Sequence, residues 1–205
     1  MSKVAILGIT GKVGSRVASE LLARGHSVTG IARDPSKAQA RAGLTLVAAD
    51  ATQRAALVPL LKGHDVVVSS THFVGGIDAA TLLAAAKEAG VPRVAVVGGA
   101  GSLEVAPGVA LVDTPEFPAA YKAEASAGRV FLQALRSEQG LDWTFLSPSA
   151  LFTPGERTGK FRLGGDQLLV DAQGNSHVSM EDFAIALADE IERPQHARQR
   201  FTVGY

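Results

Sequence analysis

The chain has 205 residues, 46% of them apolar and 20% charged, with equal numbers of acidic and basic side chains and no cysteine. That is enough apolar material for a full hydrophobic core. A net charge of zero offers no basic face to nucleic acid, and the lack of cysteine excludes disulfides, thiolate metal sites and cysteine nucleophiles together.

From the amino end, KVAILG at 3–8 reads as a buried strand. Residues 12–24 follow as a helix with Val13, Val17, Leu21 and Leu22 on one face, ended by Gly25. SVTGIA at 27–32 is the next strand, and 35–42 a short helix opened by Pro35. A third strand over 44–50 leads to a helix near 53–62, and a fourth over 65–70 to an alanine- and leucine-rich helix at 77–89, closed by Gly90. The fifth strand covers 93–99, a long helix 119–139, and the sixth strand 142–147. Continuous apolar strands alternating with helices mean a parallel sheet covered on both faces. Six such units predict a doubly wound α/β fold with strand order 3-2-1-4-5-6. The glycine-rich, polar stretch 153–179 breaks this rhythm. With the residues from 148 onward it is expected to form a small substrate-side cap within a single domain spanning 1–205. A helix over 180–192 and a strand over 198–204 complete the pattern.

MSKVAILG lacks the pattern of a signal peptide. No apolar run approaches the roughly 18 to 20 residues that cross a bilayer, so a cytoplasmic protein without a membrane partner is expected. The five histidines, His26, His64, His72, His177 and His196, show no metal-ligand spacing, and no metal is expected.

ILGITGKVGS, at 6–15, is the densest motif. A Walker-type phosphate loop needs four residues between its glycines and a hydroxyl after the lysine. Here two residues separate Gly8 from Gly11, and Val13 follows Lys12. The alternative is a dinucleotide turn, G-x-x-G-x-x-G, between a strand and a helix. Gly8 turns the chain out of the strand, Gly11 admits a pyrophosphate to the backbone amides, and Gly14 lets the helix pack closely. Thr10, Lys12 and Val13 make up the rest of the loop, and the helix amino end favours the anion. The second strand ends at Arg33, where an acidic residue would select NAD. A guanidinium there, with Lys37 assisting, favours NADP(H) over NAD(H). Asp34 is expected to open the next turn with Pro35. Asp50, with Ala51 beside it, either receives the adenine amino group or caps the next helix. Ser70 and Thr71, between Ser69 and His72 at the end of the fourth strand, are expected to pass under the ribose, and Gly98 closes the fifth strand.

GITGKVGSRV, ARDPSK, VVGGAGSLEVAPG and FPAAYKAEA resemble the atypical short-chain dehydrogenase/reductase group, as does the segment MEDFAIALADEIERPQHARQRFTVGY. Within that group the likeness is to NAD(P)-binding proteins provisionally described as NADH-flavin reductases, related to biliverdin/flavin reductases and NmrA-like proteins, and it covers essentially the whole chain. The resemblance implies a Rossmann core, a nicotinamide cofactor and reduction of flavins or quinones. The chain departs from the standard enzymes at their Tyr-x-x-x-Lys pair. Four residues after Tyr121 stands Ala125, and four before Lys122 stands Pro118. Lys122 is thus retained as a candidate for the ribose and for catalysis. Tyr121, about 100° away around the helix, is expected to pack at the helix start. Without a placed tyrosine acid, a flat conjugated acceptor such as a flavin or quinone is favoured over a ketone, which needs its proton as hydride arrives. Ser102 is a candidate donor to a bound carbonyl or a loop serine serving its own backbone. Pro148 and Ser149 are expected to border the nicotinamide, with Leu151 and Phe152 as an apolar wall and Phe73 and Phe117 either joining it or packing in the core. The alternatives are a sensor whose nucleotide occupancy controls a partner, and a nucleotide-sugar epimerase or dehydratase. The long helices could pair into a homodimer.

Overall fold

The β-branched runs become the strands of one central sheet. The computed structural model describes residues 1–205. In it β1 (Lys3–Leu7) leads to α1 (Lys12–Ala23), β2 (Ser27–Ala32) to a single 3-10 turn (Pro35–Lys37), and β3 (Leu44–Ala48) to α2 (Arg54–Leu61). Then follow β4 (Val66–Ser69), α3 (Ala79–Ala89), β5 (Arg93–Val97), a small hairpin of β6 (Glu104–Ala106) and β7 (Val109–Ala110), and α4 (Ala119–Arg136). The remainder is β8 (Asp142–Pro148), β9 (Leu151–Thr153), β10 (Arg162–Gly164), β11 (His177–Ser179), α5 (Met180–Glu192) and β12 (Gln199–Gly204).

The main sheet runs β10-β12-β8-β5-β4-β1-β2-β3. Its neighbours from β3 to β12 are all parallel. This is the expected doubly wound order, with β8 as the sixth strand, continued by β12. Strands buried on both faces have no polar side to show: Val4, Ala5, Ile6 and Leu7 of β1 are all fully inaccessible. On one face α2, α3 and α4 cover a core containing Leu57, Leu82, Leu135, Trp143 and Phe145. On the other α1 and α5 bring in Val17, Leu21, Phe183 and Leu187. Each such side chain contributes about 1.5 to 3 kcal/mol on burial.

The helices stop and start where the chain chemistry predicts. Gly90 closes α3 at φ 74°, and Gly25 follows α1 at φ 82°, a region open to glycine at no steric cost. Asp78 caps α3 by accepting the Thr81 amide, and Ser179 caps α5 by accepting that of Asp182.

One expectation is corrected. The helix expected over 35–42 shrinks to one turn, because Asp34 accepts the amide and hydroxyl of Ser36 and the following AQARA has no apolar stripe to bury. Within the 148–179 segment, β10 pairs antiparallel with β12 and becomes a short edge strand of the main sheet; β9 and β11 pair with each other. The remainder is tied down by ion pairs. Arg157 grips Glu20 of α1 through two 2.9 Å bonds, and Arg200 pairs with Asp166.

Candidate functional site

The carboxyl ends of β1, β2, β4 and β5 open into a cleft of about 1130 Å³. It lies where the strand order reverses direction, the usual ligand position in open α/β sheets. Its floor is the glycine turn. Gly8 stands at φ 84°, and a Cβ there would lie 2.3 Å from the Ser70 carbonyl oxygen. A Cβ on Gly14 would lie 2.3 Å from the Gly8 carbonyl oxygen. Neither backbone can yield, so these two positions admit only glycine. Gly11 is different. Its φ of −72° is ordinary, and its amide donates to Gly8 at 3.0 Å. No side chain caps α1, and the first bond into the helix is Ser15 N–H to Gly11. The amides of Thr10, Lys12 and Val13 therefore have no acceptor within the protein and mark an anion-favouring helix end.

Thr10, Gly11, Lys12, Val13, Arg33, Lys37, Asp50, Ala51, Ser70, Thr71 and Gly98 line the cleft with Gly8; Gly14 lies buried beneath it. Arg33 is exposed and makes no ion pair within hydrogen-bonding reach. Lys37 lies 3.8 Å from Asp34, and Ser36, with Lys37 behind it, holds the Asp34 carboxyl below the usual carboxylate range. Asp50 is lowered in the same way, first by the Thr52 amide and then by the Thr52 hydroxyl, with the Arg33 charge adding to them. One Asp50 oxygen takes both Thr52 bonds, so this carboxylate fastens the turn before α2, whose own cap position is Gln53. Gly98 keeps the far floor low, since a Cβ there would meet Phe145 at 2.3 Å.

Four expected residues do not line the cleft. Ser149 is buried and its hydroxyl donates to the Val203 carbonyl. Pro148 is buried in the sheet, opposite Val203. Ser102 accepts from the buried Arg200 at 3.4 Å. Lys122 is exposed on the first turns of α4, outside the lining. Tyr121 does not pack; it is 67% exposed. The strand β8 runs one residue further than expected, to Pro148, and Ser149 follows it still buried, so neither reaches the cleft. Of the apolar candidates, Phe152 lines the cleft and packs on Phe183 at 4.8 Å. Phe73 lines it while resting on Phe131 and Phe145. Leu151 is 60% exposed and outside the lining, as is Phe117.

The structure adds a group that chain order did not reveal. Glu124, on α4, reaches the loop after β4, and its carboxylate accepts the amides of Phe73 at 2.7 Å and Val74 at 3.0 Å. His72 and Met180 join it in the lining. Fifty-one positions separate Glu124 from Phe73, and no motif links them.

No helix is long and apolar enough to cross a membrane. A family model described as NAD(P)H-binding matches residues 8–194. The Bacillus subtilis protein YwnB is 40% identical, over 98% of this chain and 97% of its own. A Burkholderia pseudomallei structure, provisionally described as an exported protein, is 49% identical over the full length of both chains, with a TM-score of 0.91. One from Bacteroides thetaiotaomicron, provisionally an epimerase, is 40% identical over all of this chain and 97% of its own, at TM-score 0.94. One from Streptococcus pneumoniae, provisionally an NADH-flavin reductase, is 34% identical over 100% and 99%, at TM-score 0.83. The differing descriptions share one scaffold, and the family match takes in the glycine turn and nearly all that follows it: the chain belongs to the NAD(P)H-binding family, in the atypical short-chain dehydrogenase/reductase group.

Proposed function

We propose that this protein is an NADPH-dependent reductase that passes hydride to a flat conjugated acceptor of the flavin or quinone kind. The observation that carries this reading is the continuity of one cleft from the unpaired Arg33, past the open amides of α1, to the walls made by Phe73, Phe152 and Met180.

The residues present suit an NADP(H) molecule along that line. The amides of Thr10, Lys12 and Val13 would hold the diphosphate, and Arg33 the 2′-phosphate through two N–H groups. Lys37 adds charge at the same end. Asp50 keeps one oxygen for the adenine amino group, with Ala51 beside the ring. Ser70 and Thr71 would meet the ribose nearer the reacting end, above Gly98. Once bound, the reduced nicotinamide supplies the hydride. Phe73, Phe152 and Met180 exclude water from one end of the cleft and present flat or pliable surfaces to an aromatic acceptor. Orientation then supplies most of the rate. Lys122, Ser102, Pro148 and Ser149 receive no role at the reacting atoms. The reading is tested by following NADPH oxidation with free flavins and quinones as acceptors. Turnover supports it; tight NADPH binding without turnover across the panel overturns it.

One observation favours a sensor instead: neither Tyr121 nor Lys122 lines the cleft. A sensor would bind oxidised and reduced nucleotide with different affinities, which calorimetry measures directly. An epimerase acting on nucleotide sugars commonly needs the Tyr-Lys pair that is absent here.

A further inference from the structure

The acceptor end of the cleft is built almost entirely from groups that cannot give up a proton. Phe73, Val74, Val97, Phe152 and Met180 are apolar, and Gly75, Gly76 and Gly98 contribute only backbone. The polar side chains there are Ser70, Thr71, His72 and Glu124. Two are hydroxyls, far too weakly acidic to protonate an acceptor near neutral pH. Glu124 spends both oxygens on the Phe73 and Val74 amides, so its carboxyl is turned to the loop rather than to the open cleft. The imidazole of His72 is the remaining side chain there that can donate from a ring N–H.

Its setting is specific. Nδ1 lies 3.4 Å from Glu124 Oε1, and the side chain is 88% exposed. Nε2 has no partner in the protein. The backbone that carries the ring is held from two sides. Glu124 takes the next two amides, and Gly76 folds so closely that a Cβ there would lie 1.9 Å from the His72 carbonyl oxygen. Glu124 is the one charged group in contact with the ring. Lys12, Arg33, Asp34, Lys37 and Asp50 line the other end of the cleft.

We infer that His72 is the proton donor to the reduced acceptor and that Glu124 is its positioning residue, holding the loop that carries the ring by the Phe73 and Val74 amides and setting a carboxylate beside Nδ1. This rests on the reductase reading. With a para-quinone the step balances as follows. A C–H bond of the dihydronicotinamide breaks and the hydride, carrying both electrons, forms an O–H bond with one quinone oxygen, so the quinone is reduced and the nicotinamide oxidised. The opposite quinone oxygen becomes anionic. The Nε2–H bond of the imidazolium then breaks, an O–H bond forms on that oxygen, and water later returns a proton to the neutral imidazole.

Two measurements test this. In the first, nucleotide-free protein is titrated with 1,4-naphthoquinone and the histidine ring signals are followed by NMR. The His72 signals should shift saturably. Those of His64, whose ring is bonded to Thr29, should stay in place. In the second, His72→Gln is assayed with NADPH and 1,4-naphthoquinone. Loss of a general acid predicts a fall in kcat of about a hundredfold, with NADPH affinity unchanged and rate restored by added imidazole. Unmoved His72 signals at quinone saturation, or a His72→Gln kcat equal to that of an active wild type, overturn the assignment and leave the reductase reading standing. A wild type that binds NADPH but turns over no acceptor overturns the reductase reading, and the proton donor with it.

Discussion

The two ends of the cleft are made of different material. The nucleotide end is mostly backbone: a glycine turn, uncapped amides and three strand ends, with Arg33, Lys37 and Asp50 at its rim. Its parts lie within the first fifty residues. The other end, proposed above to take the acceptor, is mostly side chains brought from afar, with His72 and Phe73 after β4, Glu124 on α4, Phe152 on β9 and Met180 opening α5. A backbone-built end tolerates little variation, because a Cβ collides with a carbonyl that cannot move. A side-chain-built end can change residue by residue on the same scaffold. A scaffold of this kind can therefore carry different chemistries, and a fold does not by itself name a substrate.

The contrast can be broken most sharply at Gly8. Gly8→Ala places a methyl against the Ser70 carbonyl at a φ that L side chains avoid. It is expected to cost about 3 kcal/mol of stability or more, read by urea unfolding. A loss below about 1 kcal/mol would show the turn to be as plastic as the other end. Next comes Arg33→Ala, which leaves the turn intact. Calorimetry should show NADPH binding weakened by about 2 kcal/mol, roughly thirtyfold, with NADH binding unchanged. An unaltered NADPH/NADH ratio would remove the 2′-phosphate assignment.

At the acceptor end, Glu124→Ala frees two amides without touching the nucleotide floor. A stability loss of about 1 to 2 kcal/mol is expected, with faster hydrogen exchange at Phe73 and Val74 and little change in nucleotide affinity. Exchange unchanged at those two amides would mean the loop is held by its glycines alone. The smallest effect lies behind the cleft. The Arg157 guanidinium, then that of Arg24, holds the Glu20 carboxyl below the usual carboxylate range. A depressed folded-state pKa means stability that is complete above the unfolded carboxylate range, about 4 to 4.5, and is lost as pH falls through the folded value. Wild type should therefore lose about 1 kcal/mol more than Glu20→Gln on acidification below about pH 4.5. Parallel acid profiles for the two proteins would show that the Arg157 tether adds no stability.

Periodicity and punctuation were enough for the layered fold. β2 and α5 were legible to the residue, and Gly25 and Gly90 were legible as helix ends, because these features depend on neighbours within one or two turns. The glycine turn was legible for the same reason. The 35–42 stretch misread as helix shows the limit of that information: propensity without an apolar stripe has nothing to bury and gives one turn. The edge strand β10 was hidden because a three-residue strand has too short a period to see, and exists only because β12 has an open side.

The amino-acid sequence by itself determined a parallel sheet with a dinucleotide turn at its first crossover, since β-branched runs and glycines act locally. Only the tertiary structure decided which side chains line the far end of the cleft. It withdrew Pro148, Ser149, Ser102 and Lys122 from the lining and carried Glu124 across fifty-one positions to the loop after β4. That choice depends on where α4 docks on the sheet, which is set by packing of Phe131, Leu132 and Leu135 against the core and is written in no short stretch of the chain.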